Sequence, residues 1–129
     1  MENKKPLILI VDDEPDLRKL MASKLAEEGF EIIQEEDGAS ALSRVQVQKP
    51  DLILLDIRMP GMNGFEVLKK LRASNEWGAK VPVFFLTNLL PDDDSTLKEI
   101  EFTEPAYYLM KDVTSVGDIA VKIRERLGS

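Results

Sequence analysis

The sequence predicts an α/β fold, a doubly wound parallel sheet of five strands with five helices on its faces. Two observations carry this. Short continuous apolar runs alternate with segments of helical periodicity along the whole chain, with no repeat, low-complexity stretch or interior linker between them. Right-handed crossovers between parallel strands then place the helices on both sheet surfaces. The length of 129 residues, 43% of them hydrophobic and 32% charged, suits one packed core, so residues 1–129 are expected to form a single domain with its core over about 7–127.

Leu7-Ile8-Leu9-Ile10-Val11 is an unbroken branched run, as expected of a strand buried on both faces. Pro15 suits a first helical turn, Leu17, Leu20, Met21 and Leu25 recur at helical spacing, and Gly29 stands where a C-terminal cap belongs. Glu31 to Glu35, with Ile32 and Ile33 as its strong apolar residues, reads as a shorter strand nearer an edge, followed by a helix from about Ala39 to Val47. Leu52-Ile53-Leu54-Leu55 predicts a third, buried strand, and Gly64 to Ser74 a helix with Phe65, Leu68 and Leu71 on one face. Val81 to Leu86 is the fourth strand, with Pro82 near its start, where a missing amide donor disrupts least. The fourth helix is expected between Asp92-Asp93-Asp94-Ser95, which offer acids for its N-terminus, and Pro105, with Leu97, Ile100 and Phe102 as a thin apolar stripe. Tyr107 to Met110 makes the fifth strand. Val116, Ile119, Ala120, Ile123 and Leu127 then mark the last helix, with Thr114 or Ser115 available as its cap.

Composition removes several kinds of chemistry. The formal net charge of −7 argues against non-specific binding to nucleic acid or to an anionic membrane, because phosphate backbones repel such a surface. Cysteine and histidine are both absent, which excludes disulfides, thiolate nucleophiles, the usual zinc sites, Ser-His-Asp catalysis and a phosphohistidine on this chain. The longest apolar run near the N-terminus, Leu7 to Val11, is too short for a signal-peptide core or a membrane span, so a cytoplasmic location is expected.

In a parallel sheet wound this way, ligands bind beyond the carboxyl ends of the strands, where the winding reverses. Those positions hold Asp12-Asp13-Glu14 after the first strand, Asp56 after the third, Thr87 after the fourth and Lys111 after the fifth. Each has an ordinary explanation: Asp13 as a helix cap, Thr87 as a turn residue, Lys111 as a solvated lysine. Helix capping alone, however, does not call for an aspartate on the third strand together with an acid pair on the first. Clustered carboxylates repel by about 1 kcal/mol per pair at 4 Å in water and about 4 kcal/mol at the effective dielectric of a protein surface. Lys111 offers one compensating charge and a divalent cation two more, and Mg²⁺ suits a small oxygen-lined site. With a cation present, a carboxylate becomes a feasible nucleophile toward phosphorus.

This constellation resembles the receiver domain of bacterial two-component response regulators, in its single-domain, chemotaxis-regulator-like form, over essentially Leu7 to Leu127. Val11-Asp12-Asp13-Glu14 is similar to the family's acid-pair segment, and Leu55-Asp56-Ile57-Arg58-Met59-Pro60-Gly61-Met62-Asn63-Gly64 to its phosphorylation-site segment; Thr87 and Lys111 complete the set. The resemblance implies a flavodoxin-like sheet of strand order 2-1-3-4-5. It also implies that Asp56 accepts phosphate from a partner's phosphohistidine, with Mg²⁺ held by Asp13, Asp56 and the main-chain carbonyl of Arg58, and by Asp12 through water. Thr87 and Lys111 would bind the phosphoryl oxygens. Tyr108 matches the aromatic switch position, so that Thr87 and Tyr108 would couple phosphorylation to a face made by the fourth helix, fifth strand and fifth helix. The implied partners are a sensor histidine kinase or phosphotransfer protein and a downstream protein target, with no direct nucleic-acid or membrane contact. The implied state is a monomer or a phosphorylation-dependent dimer, and the chain would be no enzyme with a separate substrate.

Two positions depart from the family pattern: Asp112 stands where a proline after a cis peptide is usual, and Asn88 occupies a usually small position, while Arg58 and Leu89 flank the site. They predict an atypical phosphoryl lifetime or output face. Three rivals remain. A haloacid-dehalogenase-type phosphatase expects Asp-x-Asp after the first strand and usually a cap domain, and a flavodoxin-like cofactor binder expects glycines and hydroxyls there. A pseudo-receiver would use the same fold only to bind protein. With no further domain after Leu127 in this sequence, the output is expected to be a protein contact of the domain itself, unless these residues are part of a longer chain.

Overall fold

The computed structural model describes residues 5–87, 107–111 and 114–128. Strands β1 (Leu7–Val11), β2 (Glu31–Glu35), β3 (Leu52–Asp56), β4 (Val83–Thr87) and β5 (Tyr107–Met110) form one sheet in the order β2-β1-β3-β4-β5, every neighbouring pair parallel. Helices α1 (Pro15–Glu27), α2 (Gly38–Val47), α3 (Gly64–Ser74), α4 (Glu76–Lys80) and α5 (Val116–Leu127) accompany it. This is the flavodoxin-like order expected from the sequence. The helix expected between Asp92 and Pro105 lies outside the described residues, as do Asn88, Leu89 and Asp112.

The unbroken apolar runs follow from burial on both faces. Leu9, Val11, Ile53, Leu55, Val83 and Phe85 pack on one side with Val45 of α2 and Phe65, Leu68 and Leu71 of α3. Ile8, Ile10, Leu52, Leu54, Phe84 and Leu86 pack on the other with Met21 and Leu25 of α1 and Ile119, Ala120 and Ile123 of α5. Alternation along each strand thus feeds two half-cores. Strand β2, at the edge and flanked on one side only, keeps its isoleucines partly exposed.

The helix ends show why the chain turns where it does. At the end of α1 the Gly29 amide donates to Ala26 and the Phe30 amide to Leu25, with Gly29 at φ +100°, the left-handed position that favours glycine. Ser115 caps α5 by accepting from the Asp118 amide, and Asn63 and Glu66 form a reciprocal capping box at the start of α3. Two local readings change. Leu20 is half exposed, because Leu17, Met21 and Leu25 lie along one helical row and Leu20 falls beside it. The short helix α4 was not expected; it occupies part of the stretch before β4, which begins at Val83. Asn75 caps α4 by accepting from the Gly78 amide, and Arg72 donates to the carbonyls of Gly78 and Val81 at 2.9 and 2.7 Å.

Candidate functional site

Strands β1 and β3 are adjacent, with Val11 beside Leu55 in register, so Asp12 and Asp56 leave the sheet at the same edge. α1 covers one face there and α3 the other, which makes this edge the point where the winding reverses. Asp12 is 1% exposed and Asp56 4%, although both are acids. The Asp12 amide donates to the Glu35 carbonyl, and its Oδ1 accepts from the Glu14 amide at 2.9 Å. Glu14, not Asp13, is the N-cap of α1, and its side chain makes no capping hydrogen bond, so Asp13 is not the N-cap residue.

Past β3 the chain returns tightly to α3. The Gly64 amide donates to the Ile57 carbonyl at 2.8 Å. A Cβ at position 64 would lie 2.5 Å from the Asp56 carbonyl oxygen and 2.9 Å from Ile57 Cα, so glycine is required by the close approach of α3 to the backbone of Asp56.

Lys111, at the end of β5, reaches into the pocket with its side chain 6% exposed. Its Nζ lies 2.7 Å from Asp12 Oδ2, 3.3 Å from Asp56 Oδ2 and 3.6 Å from Glu14 Oε1. The contact with Asp56 is a hydrogen bond; that with Asp12 is an ion pair without hydrogen-bond alignment, which leaves Asp12 Oδ2 buried and unbonded. Burial raises the Asp56 carboxyl to about 6 from its usual 3.8; Lys111 opposes the shift, and the Asp12 and Asp13 charges add to it. For Lys111 burial works against the charge, but the close carboxylate of Asp12 at 2.7 Å and the charge of Asp56 outweigh it, so its pKa is raised.

Asp12, Asp13 and Asp56 each offer one carboxylate oxygen, all within 4.8 Å of one another. The set fits a hard divalent cation: its donors are oxygens only, one of them is buried without a hydrogen bond, and Lys111 balances a single charge among three acids. Arg58 sits two residues past Asp56 in the loop, with its side chain exposed. Thr87 ends β4, whose Leu86 pairs with Asp56 and whose Thr87 pairs with Met110 beside Lys111, so its backbone lies between the strands carrying Asp56 and Lys111. Tyr108 is half-buried against the α2–α3 half-core, and burial raises its phenol pKa. Sequence reasoning missed Arg18, whose guanidinium reaches the Asp12 carbonyl. Its one visible signal was a cation in the first turn of the helix that follows the acid pair.

Comparison with known proteins agrees with this arrangement. The family model described as response regulator receiver domain matches residues 8–123. The DNA-binding response regulator MtrA of Mycolicibacterium smegmatis is 41% identical over 87 residues, covering 67% of this chain and 36% of that protein. The probable transcriptional regulator ycf27 of Cyanophora paradoxa is 36% identical over 89 residues, 69% of this chain and 36% of that protein. The chain thus spans about a third of the length of these relatives. Among solved structures, the BeF3-activated N-terminal receiver domain of Klebsiella pneumoniae RstA superimposes with a TM-score of 0.82 at 28% identity, covering 95% of this chain and 99% of that one. The chemotaxis response regulator CheY4 of Vibrio cholerae gives 0.82 at 26% identity, covering 96% and 99%. A buried strand-end aspartate beside an acid pair and a lysine, on a 2-1-3-4-5 sheet matched by the family model over nearly its full length, makes this chain a receiver domain of the two-component response regulators.

Proposed function

We propose that Asp56 is the phosphoacceptor of this receiver and that a partner's phosphohistidine is the donor. The observation that supports this best is the convergence of Asp12, Asp13, Asp56 and Lys111 on one strand edge, with Asp56 at the tightly supported end of β3. A carboxylate oxygen of Asp56 forms the new P–O bond as the donor's P–N bond breaks, the electron pair returning to the imidazole nitrogen. Lys111 Nζ, already 3.3 Å from Asp56, is poised to hold a phosphoryl oxygen, and Thr87 supplies a hydroxyl from the neighbouring strand end. Asp13, Asp56 and the Arg58 carbonyl would hold Mg²⁺, with Asp12 contributing through water. When bound, the ion neutralises charge on the transferring group and keeps Asp56 ionised.

The readout couples through Thr87 and Tyr108. Both lie on strands that end at the site, and Tyr108 is three positions before Lys111. Drawing Thr87 toward the phosphoryl group lets Tyr108 repack and biases the face made by β5, α5 and the helix expected before Pro105. The partners are a sensor histidine kinase or phosphotransfer protein upstream and a protein target downstream. Intact-mass measurement after incubation with Mg²⁺ and an acyl-phosphate donor tests the assignment. The wild type is expected to gain one phosphoryl group and Asp56→Asn none; equal labelling of the two removes Asp56 as acceptor.

A further inference from the structure

Arg18 lies in the first turn of α1, its amide donating to the Glu14 carbonyl at 3.0 Å. Its guanidinium points back toward the sheet. Nη1 donates to the main-chain carbonyl of Asp12 at 2.7 Å, and Nε donates to Gln34 Oε1 of β2 at 3.2 Å. One planar group therefore ties α1 and β2 to the turn that carries the acid pair. The other polar atoms of Asp12 are held too: its amide by the Glu35 carbonyl and its Oδ1 by the Glu14 amide. Oδ2 makes no aligned hydrogen bond; it is buried, its close contact being the ion pair with Lys111 Nζ at 2.7 Å, in the pocket where Asp13 and Asp56 also present an oxygen.

The carbonyl that Arg18 holds belongs to the peptide plane joining Asp12 to Asp13. Holding that plane sets where both Cα atoms stand and so narrows the directions in which the two carboxylates can leave the backbone. We propose that Arg18, oriented by Gln34, is a positioning residue that presets the Asp12–Asp13 pair for a divalent cation. The proposal rests on the reading that Asp12, Asp13 and Asp56 form a cation site, and it adds the group that aligns them.

Charge and geometry predict opposite signs here, which makes the role measurable. Arg18 is a cation beside a cation site, so by Coulomb interaction alone its removal tightens divalent-ion binding. If it aligns the ligands, its removal loosens binding, as loss of an outer partner of a metal ligand does by about 10–100-fold. Titration calorimetry with Mg²⁺ on the unphosphorylated chain separates the two. Arg18→Met is expected to weaken Mg²⁺ binding about tenfold or more. Gln34→Met, which changes no charge, is expected to weaken it less, by releasing the guanidinium from its second anchor. Melting in cation-free buffer shows at which temperature each variant is folded for the titration. Mg²⁺ binding by Arg18→Met as tight as the wild type's or tighter overturns the proposal, including where the cation-free melting temperature falls, since a purely structural role moves only the latter. Should Arg18→Met fail to fold, Gln34→Met decides by the same criterion. Failure of the wild type itself to bind Mg²⁺ overturns the cation-site reading, an outcome distinct from equal binding by wild type and variant.

Discussion

Asparagine at position 56 removes a charge that burial holds against its own hydration, and the cost of that charge follows from the shift in its pKa. Asp56 rises from 3.8 to about 6. At 1.36 kcal/mol per pKa unit this is about 3 kcal/mol of native-state destabilisation, and screening through the exposed Glu14 side of the pocket reduces it to about 1–2 kcal/mol. The sign is opposite to that of an ordinary salt-bridged aspartate. Below the unfolded pKa the carboxyl is protonated in both states and contributes nothing. Between there and about 6 the native state holds a proton that the unfolded chain has lost, so stability falls as pH rises, and above that window the full cost is present. Urea unfolding of wild type and Asp56→Asn in cation-free buffer across that range measures it. The two are expected to coincide at the acid end and to separate with rising pH, the variant being more stable by about 1–2 kcal/mol near pH 7. Adding Mg²⁺ at about 100 times its dissociation constant returns about 2.7 kcal/mol to the wild type and closes or inverts the gap. A difference that is independent of pH, or a variant less stable than wild type at neutral pH without cation, would refute the burial argument.

Two further substitutions probe the supports of the site. Gly64→Ala drives a Cβ against the Asp56 carbonyl and Ile57 Cα, so a loss of about 1–3 kcal/mol is expected in urea unfolding, with slower labelling of Asp56 because the displaced backbone is its own. Arg72→Leu strips the donor from the carbonyls of Gly78 and Val81 before β4 and is expected to cost about 1–3 kcal/mol. Since those groups lie at the edge opposite to Asp56, Mg²⁺ affinity should stay at the wild-type value, and a change would show that the two ends of β4 are coupled.

The strands were legible because sheet burial on both faces demands continuous apolar runs, and the ends of those runs named Asp12, Asp56 and Lys111 without any knowledge of contacts. Gly29 and Ser115 were legible as caps because their chemistry is local. α4 was not: at five residues it has no period to detect, and its stability comes from Asn75, from Arg72 and from the packing of Gly78 on the Leu71 carbonyl. Arg18 was missed for a different reason. On a helix surface an arginine bound to water and one clasping a carbonyl six residues back have the same sequence signature, and only the rotation of α1 about its axis tells them apart.

The strand order also governs when the site can come into being as the chain folds. β1 is laid between β2 and β3, and the contacts that join it to the second of these are distant in sequence, as between the Leu7 amide and Asp51, 44 residues on. Closing such a loop is an entropic barrier that local helix formation does nothing to lower. Asp12 and Asp13 therefore spend the early stages of folding without Asp56 beside them, and an N-terminal fragment ending before β3 carries two of the three acids but no pocket. Cation affinity that appears during refolding times the arrival of β3 against β1, so a binding signal becomes a clock for the central step in assembly of the sheet.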